Sequence, residues 1–227
     1  LKTAQALLKI FDSLLDHYGA RRWWPAKTRF EVIVGAILVQ NVSWKNAKIA
    51  VNGLKKAGLL TVDAIVFAKH EVIANTIRSA RFYNQKTIKL KSFCKYLTDK
   101  YDGSLNKMFS RDADELRNEL LNVSGIGRET ADSILLYAGR KLSFVSDSYT
   151  KRFLTRYGLL GNMKTYEEIR DFFMSNLPKD VILYNEYHAL IVHHCYATCK
   201  SDPSCHQCAV RSLGTRFFCQ YGKVATK

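Results

Sequence analysis

Proline is nearly missing from this chain, with three in 227 residues. The alternating polar–apolar stretches that mark half-buried strands are almost as scarce; the best, "KLSFVSD" at 141–147, is short. No apolar run is longer than "VIVGAILV" at 32–39, well below the roughly 20 residues a helix needs to cross a bilayer. No internal repeat, low-complexity tract or long linker is present. Acidic residues are short too: 20 Asp plus Glu stand against 35 Lys plus Arg, a formal charge of +15 with a pI near 9.6. These shortages exclude a membrane-spanning helix and argue against a sheet protein. The charge excess favours a polyanionic partner, nucleic acid before an anionic membrane surface.

What is there is helical. Apolar spacing predicts helices at about 2–18, 29–40, 43–57, 61–67, 70–78, 84–100, 112–121, 128–139, 148–157, 165–176 and 181–198, so the fold class is all-α. The first of these, with Asp12 and Asp16 among apolar residues, reads as an amphipathic helix and not a cleavable signal. An intracellular protein is therefore expected, in the cytoplasm and nucleoid or in the nucleus, where cysteines stay thiols or bind metal. Five of the six cysteines fall between 195 and 219. Lys45, Lys48, Lys55, Lys56, Lys86, Lys89, Lys91 and Lys95 are spread along the helices. Each reads as a solvated face, and together they suit a surface that follows a phosphate backbone.

"ELLNVSGIGRETADSIL" places a short helix, a tight turn and a longer helix in sequence. Gly125 and Gly127 permit positive φ and close backbone approach, and Ile126 between them can plug the two helices together. The N–H groups that open the second helix can then bind a phosphate oxygen. This stretch, followed by "VSDSYTKRF", preceded by "FEVIVGAILVQNVSWKNA" and trailed by a cysteine-rich tail, resembles the helix–hairpin–helix (HhH-GPD) DNA glycosylases of the endonuclease III superfamily. "WWP", "VQN", "FYNQK" and "GIGRE" are most similar to its 3-methyladenine glycosylases. Val145 and Ser146 stand where the superfamily's Gly or Pro is expected, so that part of the pattern is degenerate.

The resemblance implies roles residue by residue. Glu129 occupies the position of the lysine whose amine attacks sugar C1′ in members with lyase activity; a carboxylate cannot form that Schiff base. Asp147 matches the catalytic aspartate, a fixed anion suited to the oxocarbenium-like charge that builds as an N-glycosidic bond breaks. It is also placed to cap a helix. Trp24 and Trp44 match two pocket walls for an extruded base, an aromatic pair able to sandwich a flat, cationic ring. Gln40 matches a residue that fills the gap left by a flipped base. With Gly125, Ile126, Gly127 and Thr130 it makes up the expected DNA-binding set.

Cys199, Cys205, Cys208 and Cys219 are the implied ligands of a [4Fe–4S] cluster. Their spacing departs from the family pattern, and Gly214 sits where a ligand is usual. Cys195 as fourth ligand, zinc in place of the cluster, and metal-free thiols remain open.

Two helical lobes are expected, residues 30–138 with the hairpin, and 1–29 plus 139–227 with the cluster loop. The expected protein is a monomeric, monofunctional base-excision glycosylase acting on duplex DNA with a damaged base, an alkylated purine such as 3-methyladenine. The alternatives are an endonuclease III-like enzyme for oxidised or mismatched pyrimidines, and a non-catalytic DNA-binding protein.

Overall fold

The computed structural model describes residues 3–211 together with 213 and 219. Lys2, the start of the first expected helix, and Gly214, the glycine at the expected ligand position, lie outside the described residues. Among the described residues every regular element is helical, as the apolar spacing predicts. The chain divides into two compact units: Trp24–Lys141, and Leu1–Trp23 with Leu142–Lys227. None of the described helices is long and apolar enough to cross a membrane.

Helix α1 (Thr3–Tyr18) belongs to the unit built from both ends of the chain. The Trp24–Lys141 unit then holds α2 (Arg29–Leu38), α3 (Trp44–Lys56), α4 (Val62–Phe67), α5 (His70–Thr76), α6 (Tyr83–Tyr101), α7 (Leu105–Phe109), α8 (Ala113–Leu121) and α9 (Arg128–Ser133). Helix α9 runs on into a π-helical turn, Ile134–Ala138. The chain returns to the first unit with α10 (Ser148–Tyr157), α11 (Tyr166–Asn176) and α12 (Val181–Ala197). Side chains cap most of these helices: Thr28, Ser43, Thr61, Asp112, Thr165 and Asp180 each accept a backbone N–H of the first turn. At α11 the bond is reciprocal, a Thr165–Glu168 capping box.

Helix α2 is the centre of its unit, buried from Val32 to Leu38 and packed by α3, α6 and the π-helical turn. Two lysines expected on the basic surface turn their amines onto this unit's backbone instead, one of them buried and the other half-buried. Lys86 is 2% exposed, and its ammonium donates to the carbonyls of Leu38 at 2.8 Å and Ala80 at 2.6 Å. Burial pushes its pKa down to about 8, with the Lys89 charge adding. Lys91 donates to the carbonyls of Ile65, Val66 and Ala68, closing the C-terminal end of α4. Orphan carbonyls draw these two amines inward; Lys45, Lys48, Lys55 and Lys56 remain exposed. "KLSFVSD" forms no strand or helix.

In the other unit α1 lays Leu7, Ile10 and Leu14 into the core against α12, where the Tyr187 hydroxyl donates to Leu7 O at 2.8 Å. Phe144 anchors the segment leading to α10. It stacks on Phe173 at 4.0 Å and 7° and meets Tyr184, Tyr187 and His188 edge-on.

Candidate functional site

The Trp24–Lys141 unit carries the hairpin. Gly125 has φ +86°, and a Cβ there would collide with the stem of Lys89, so the turn needs a glycine on both counts. Gly127 does not share that need. Its φ of −91° is ordinary extended backbone, contrary to the positive φ expected from the sequence. It caps α9 with no side chain, and a Cβ there would meet nothing within 4 Å, so the start of α9 is open to an approaching group. Ile126 is buried, as a plug between helices must be. Arg117 on α8 grips Asp132 on α9 through two parallel bonds of 2.8 and 3.0 Å, with Asp132 fully buried. Glu129, in the first turn of α9, is exposed.

Gln40 braces the turn from the C-terminal side of α2. Its amide donates to Gly125 O at 3.2 Å and to Thr130 Oγ1 at 2.8 Å, and its oxygen accepts from Lys89 Nζ. Filling a gap in a duplex would require it to release these bonds. Thr130 is itself buried. Gln40 and Thr130 therefore shape the hairpin in this structure.

Trp24 and Trp44 do come together, but not as parallel walls. Their centroids are 5.1 Å apart at 88°, and Trp24 meets Tyr137 at 5.4 Å and 63°. Edge-to-face packing of this kind is the favoured contact of two free rings, and it leaves no slot between the two indoles as they stand. The π-helical turn delivers Tyr137 to this corner. Gly35 lets the Trp24 indole lie on α2, since a Cβ there would be 3.1 Å from the ring; this packing brings Trp24 into the same unit as the hairpin.

In the same unit, Arg81 and Phe82 hold positive φ, 52° and 42°, and Phe82 is 64% exposed. The sequence reading used Phe82 only as part of "FYNQK" and gave no sign of this backbone. Such strain persists where surrounding structure dictates it, and it clusters at functional sites.

Asp147 lies in the other unit and does cap α10. Its Oδ1 accepts from the Thr150 N–H at 2.8 Å and from the Thr150 hydroxyl at 3.0 Å. Its Oδ2 faces His188 Nε2 at 3.5 Å, a neighbour that sequence reading missed. Burial pushes the Asp147 carboxyl up, but His188 and the Thr150 bonds outweigh it and hold the pKa below the ordinary value. The preceding Ser146 hydroxyl donates to Tyr166 O at 2.8 Å, which pins the approach to the carboxylate.

Cys199, Cys205, Cys208 and Cys219 line one small cavity with Arg156, Thr198 and Pro203. Cys195 is not among its walls; it is buried on α12, its sulfur 3.5 Å from Tyr149 O. Arg156 Nη1 donates to Cys199 Sγ at 3.3 Å. The Cys199 thiol is held below the ordinary thiol value, first by a hydrogen bond from Cys195, against opposing burial, then by His194 and Arg156. Among the described residues no three His, Cys, Asp or Glu side chains converge as a single metal ion requires.

The sequence matches the family described as HhH-GPD superfamily base excision DNA repair protein over residues 34–179. It is 46% identical over 211 residues to a Methanocaldococcus jannaschii protein named, provisionally, a DNA repair glycosylase, covering 92% of this chain and 96% of that one. It is 33% identical over 199 residues to endonuclease III of Sulfolobus acidocaldarius, covering 86% and 84%. The fold is similar to that of H. pylori 3-methyladenine DNA glycosylase bound to 1,N6-ethenoadenine, with a TM-score of 0.74 and 27% identity over 86% of this chain and 98% of that one. Hairpin, half-buried carboxylate and these matches define a DNA-repair enzyme that breaks N-glycosyl bonds. The chain belongs to the HhH-GPD superfamily of base excision DNA repair proteins.

Proposed function

We propose that this glycosylase is monofunctional and acts on alkylated purines such as 3-methyladenine, leaving an abasic site in an intact strand. Glu129 carries the reading: an exposed carboxylate opens α9 where lyase-active relatives hold the attacking amine. Lys89, whose stem packs against Gly125, is bound to Gln40, and Lys86, on the same helix, is bound to carbonyls. The Trp24–Trp44–Tyr137 corner supplies π faces for a flat cation, once the two indoles part.

A cationic alkylated purine leaves readily, because the electron pair of the breaking C1′–N bond neutralises it. The sugar is then left with oxocarbenium charge, which the Asp147 anion stabilises. Water adds at C1′ and loses its proton to that carboxylate. The open N-terminal end of α9 is suited to a backbone phosphate. The 33% identity to an endonuclease III favours a second reading, a glycosylase for oxidised or mismatched pyrimidines.

A panel of duplexes, each with one lesion, separates the two when base release and strand scission are read independently. Release of 3-methyladenine is expected, with nicking only after alkali and no borohydride-trapped adduct. Trp44→Ala should slow that release while retaining affinity for undamaged duplex. Pyrimidine release with a trapped adduct would overturn the reading.

The four soft thiols lining one cavity suit a [4Fe–4S] cluster; Cys199, Cys205, Cys208 and Cys219 would hold it. When bound, such a group ties the C-terminal loop together through four covalent bonds. Protein purified without air should contain iron and labile sulfide in equal amounts, and Cys208→Ser should lose both; zinc without iron sinks the assignment.

A further inference from the structure

The two oxygens of Asp147 are treated differently. Both Thr150 bonds fall on Oδ1, so α10 holds that oxygen as any N-cap would. No capping bond reaches Oδ2, and within the latitude of the two Thr150 hydrogen bonds the carboxylate can still rock about its Cβ–Cγ bond. His188 is the group that faces Oδ2, its Nε2 3.5 Å away. It comes from the middle of α12, is 7% exposed, and meets the Phe144 ring edge-on at 6.4 Å. The same Phe144 is stacked on Phe173 and lies three residues before Asp147. The ring is thus packed on the same aromatic cluster that anchors the segment leading to the carboxylate.

Resting on the proposed role of Asp147 as the anion at the reaction centre, we infer that His188 is a positioning residue for base release. From α12 it fixes Oδ2, so that the carboxylate presents a set edge to the sugar. It does so without touching DNA. At 3.5 Å the contact is electrostatic and not a short hydrogen bond. It acts on the orientation and charge of Asp147 in a site nearly closed to water, where such an interaction is weakly screened.

The groups that face the Asp147 carboxyl are His188 from α12 and Thr150 from α10. Removing the imidazole takes away a partner that holds the carboxyl in its anionic form, so the acid limb of the pH–rate profile should move to higher pH.

The test uses the whole chain with its cofactor complement, a duplex carrying the lesion that the panel selects, and single-turnover rates at saturating enzyme. For His188→Leu the rate is expected to fall roughly ten- to hundredfold, with affinity for the duplex unchanged and the acid limb shifted up. His188→Gln, which keeps a polar end near Oδ2, should recover part of the rate, and it carries the measurement should the leucine variant fail to fold. A wild-type rate in His188→Leu, or losses of rate, affinity and melting temperature in step with an unmoved acid limb, overturns the inference. Asp147→Asn run alongside separates the two ideas: base release that survives it removes the role of Asp147 itself, whereas a dead Asp147→Asn beside a normal His188→Leu removes only that of His188.

Discussion

Replacing Asp147 by Asn is expected to cut base release by at least about 10³-fold, the scale of losing a preorganised charge at a developing ionic centre. Duplex affinity should stay nearly unchanged. The substitution is informative because it divides the two duties of this residue. An amide oxygen accepts the Thr150 N–H as well as a carboxylate does, so the start of α10 keeps its cap. Only the negative charge is gone. Melting temperature should therefore fall less in Asp147→Asn, which loses only the stabilisation of the anion, than in Asp147→Ala, which also loses about 1 kcal/mol of cap, while both lose base release. An Asn variant that still releases base at a comparable rate would place the catalytic charge elsewhere. The sign with pH follows from the lowered carboxyl. Base release should survive acidification past the ordinary aspartate value and fail only as pH drops through the folded pKa. The stability contributed by the anion, fully present above the unfolded pKa, is lost in the same window.

The second large effect concerns stability. Arg117 and Asp132 join the two helices of the hairpin through a doubly bonded ion pair that is 12% and 0% exposed at its two side chains. Such a pair is costly to desolvate, so its net contribution is modest, but breaking it leaves a buried charge without its counterpart. Asp132→Ala should destabilise the protein by roughly 3–5 kcal/mol in urea or thermal unfolding. Arg117→Met combined with Asp132→Leu should recover much of that loss, since apolar groups of similar volume can replace a buried pair. A single variant that unfolds like the wild type would show the pair to be dispensable.

The helices were largely legible in the sequence because their beginnings are written as Thr28, Ser43, Thr61, Asp112, Thr165 and Asp180 ahead of apolar periodicity. Helix α7 was not, since Leu105–Phe109 is too short to display a period. Lys86 could have been found: it shares a helical face with the buried Leu90, Phe93 and Leu97, a pattern that marks an interior lysine. His188 could not. It sits in a helix buried on several sides, where one more interior residue raises no signal, and its pairing with Asp147 exists only in three dimensions. The perpendicular setting of Trp24 and Trp44 was equally invisible, because proximity in sequence says nothing about ring planes. Gly127 misled by analogy with Gly125: identical residues in one turn serve different needs, left-handed backbone at the first and open space at the second.

One unit is assembled from segments at opposite ends of the sequence, and the bond from Tyr187 to Leu7 spans 180 residues. On the ribosome α1 is therefore made long before α12, the helix that covers it. Leu7, Ile10 and Leu14 must wait, apolar and uncovered, while the intervening Trp24–Lys141 unit emerges with its own core already complete. The inserted unit can condense first, and closing the outer one brings the entropy cost of joining distant segments. Nascent chains are thus most exposed to misassociation through the α1 face in the interval before α12 is made.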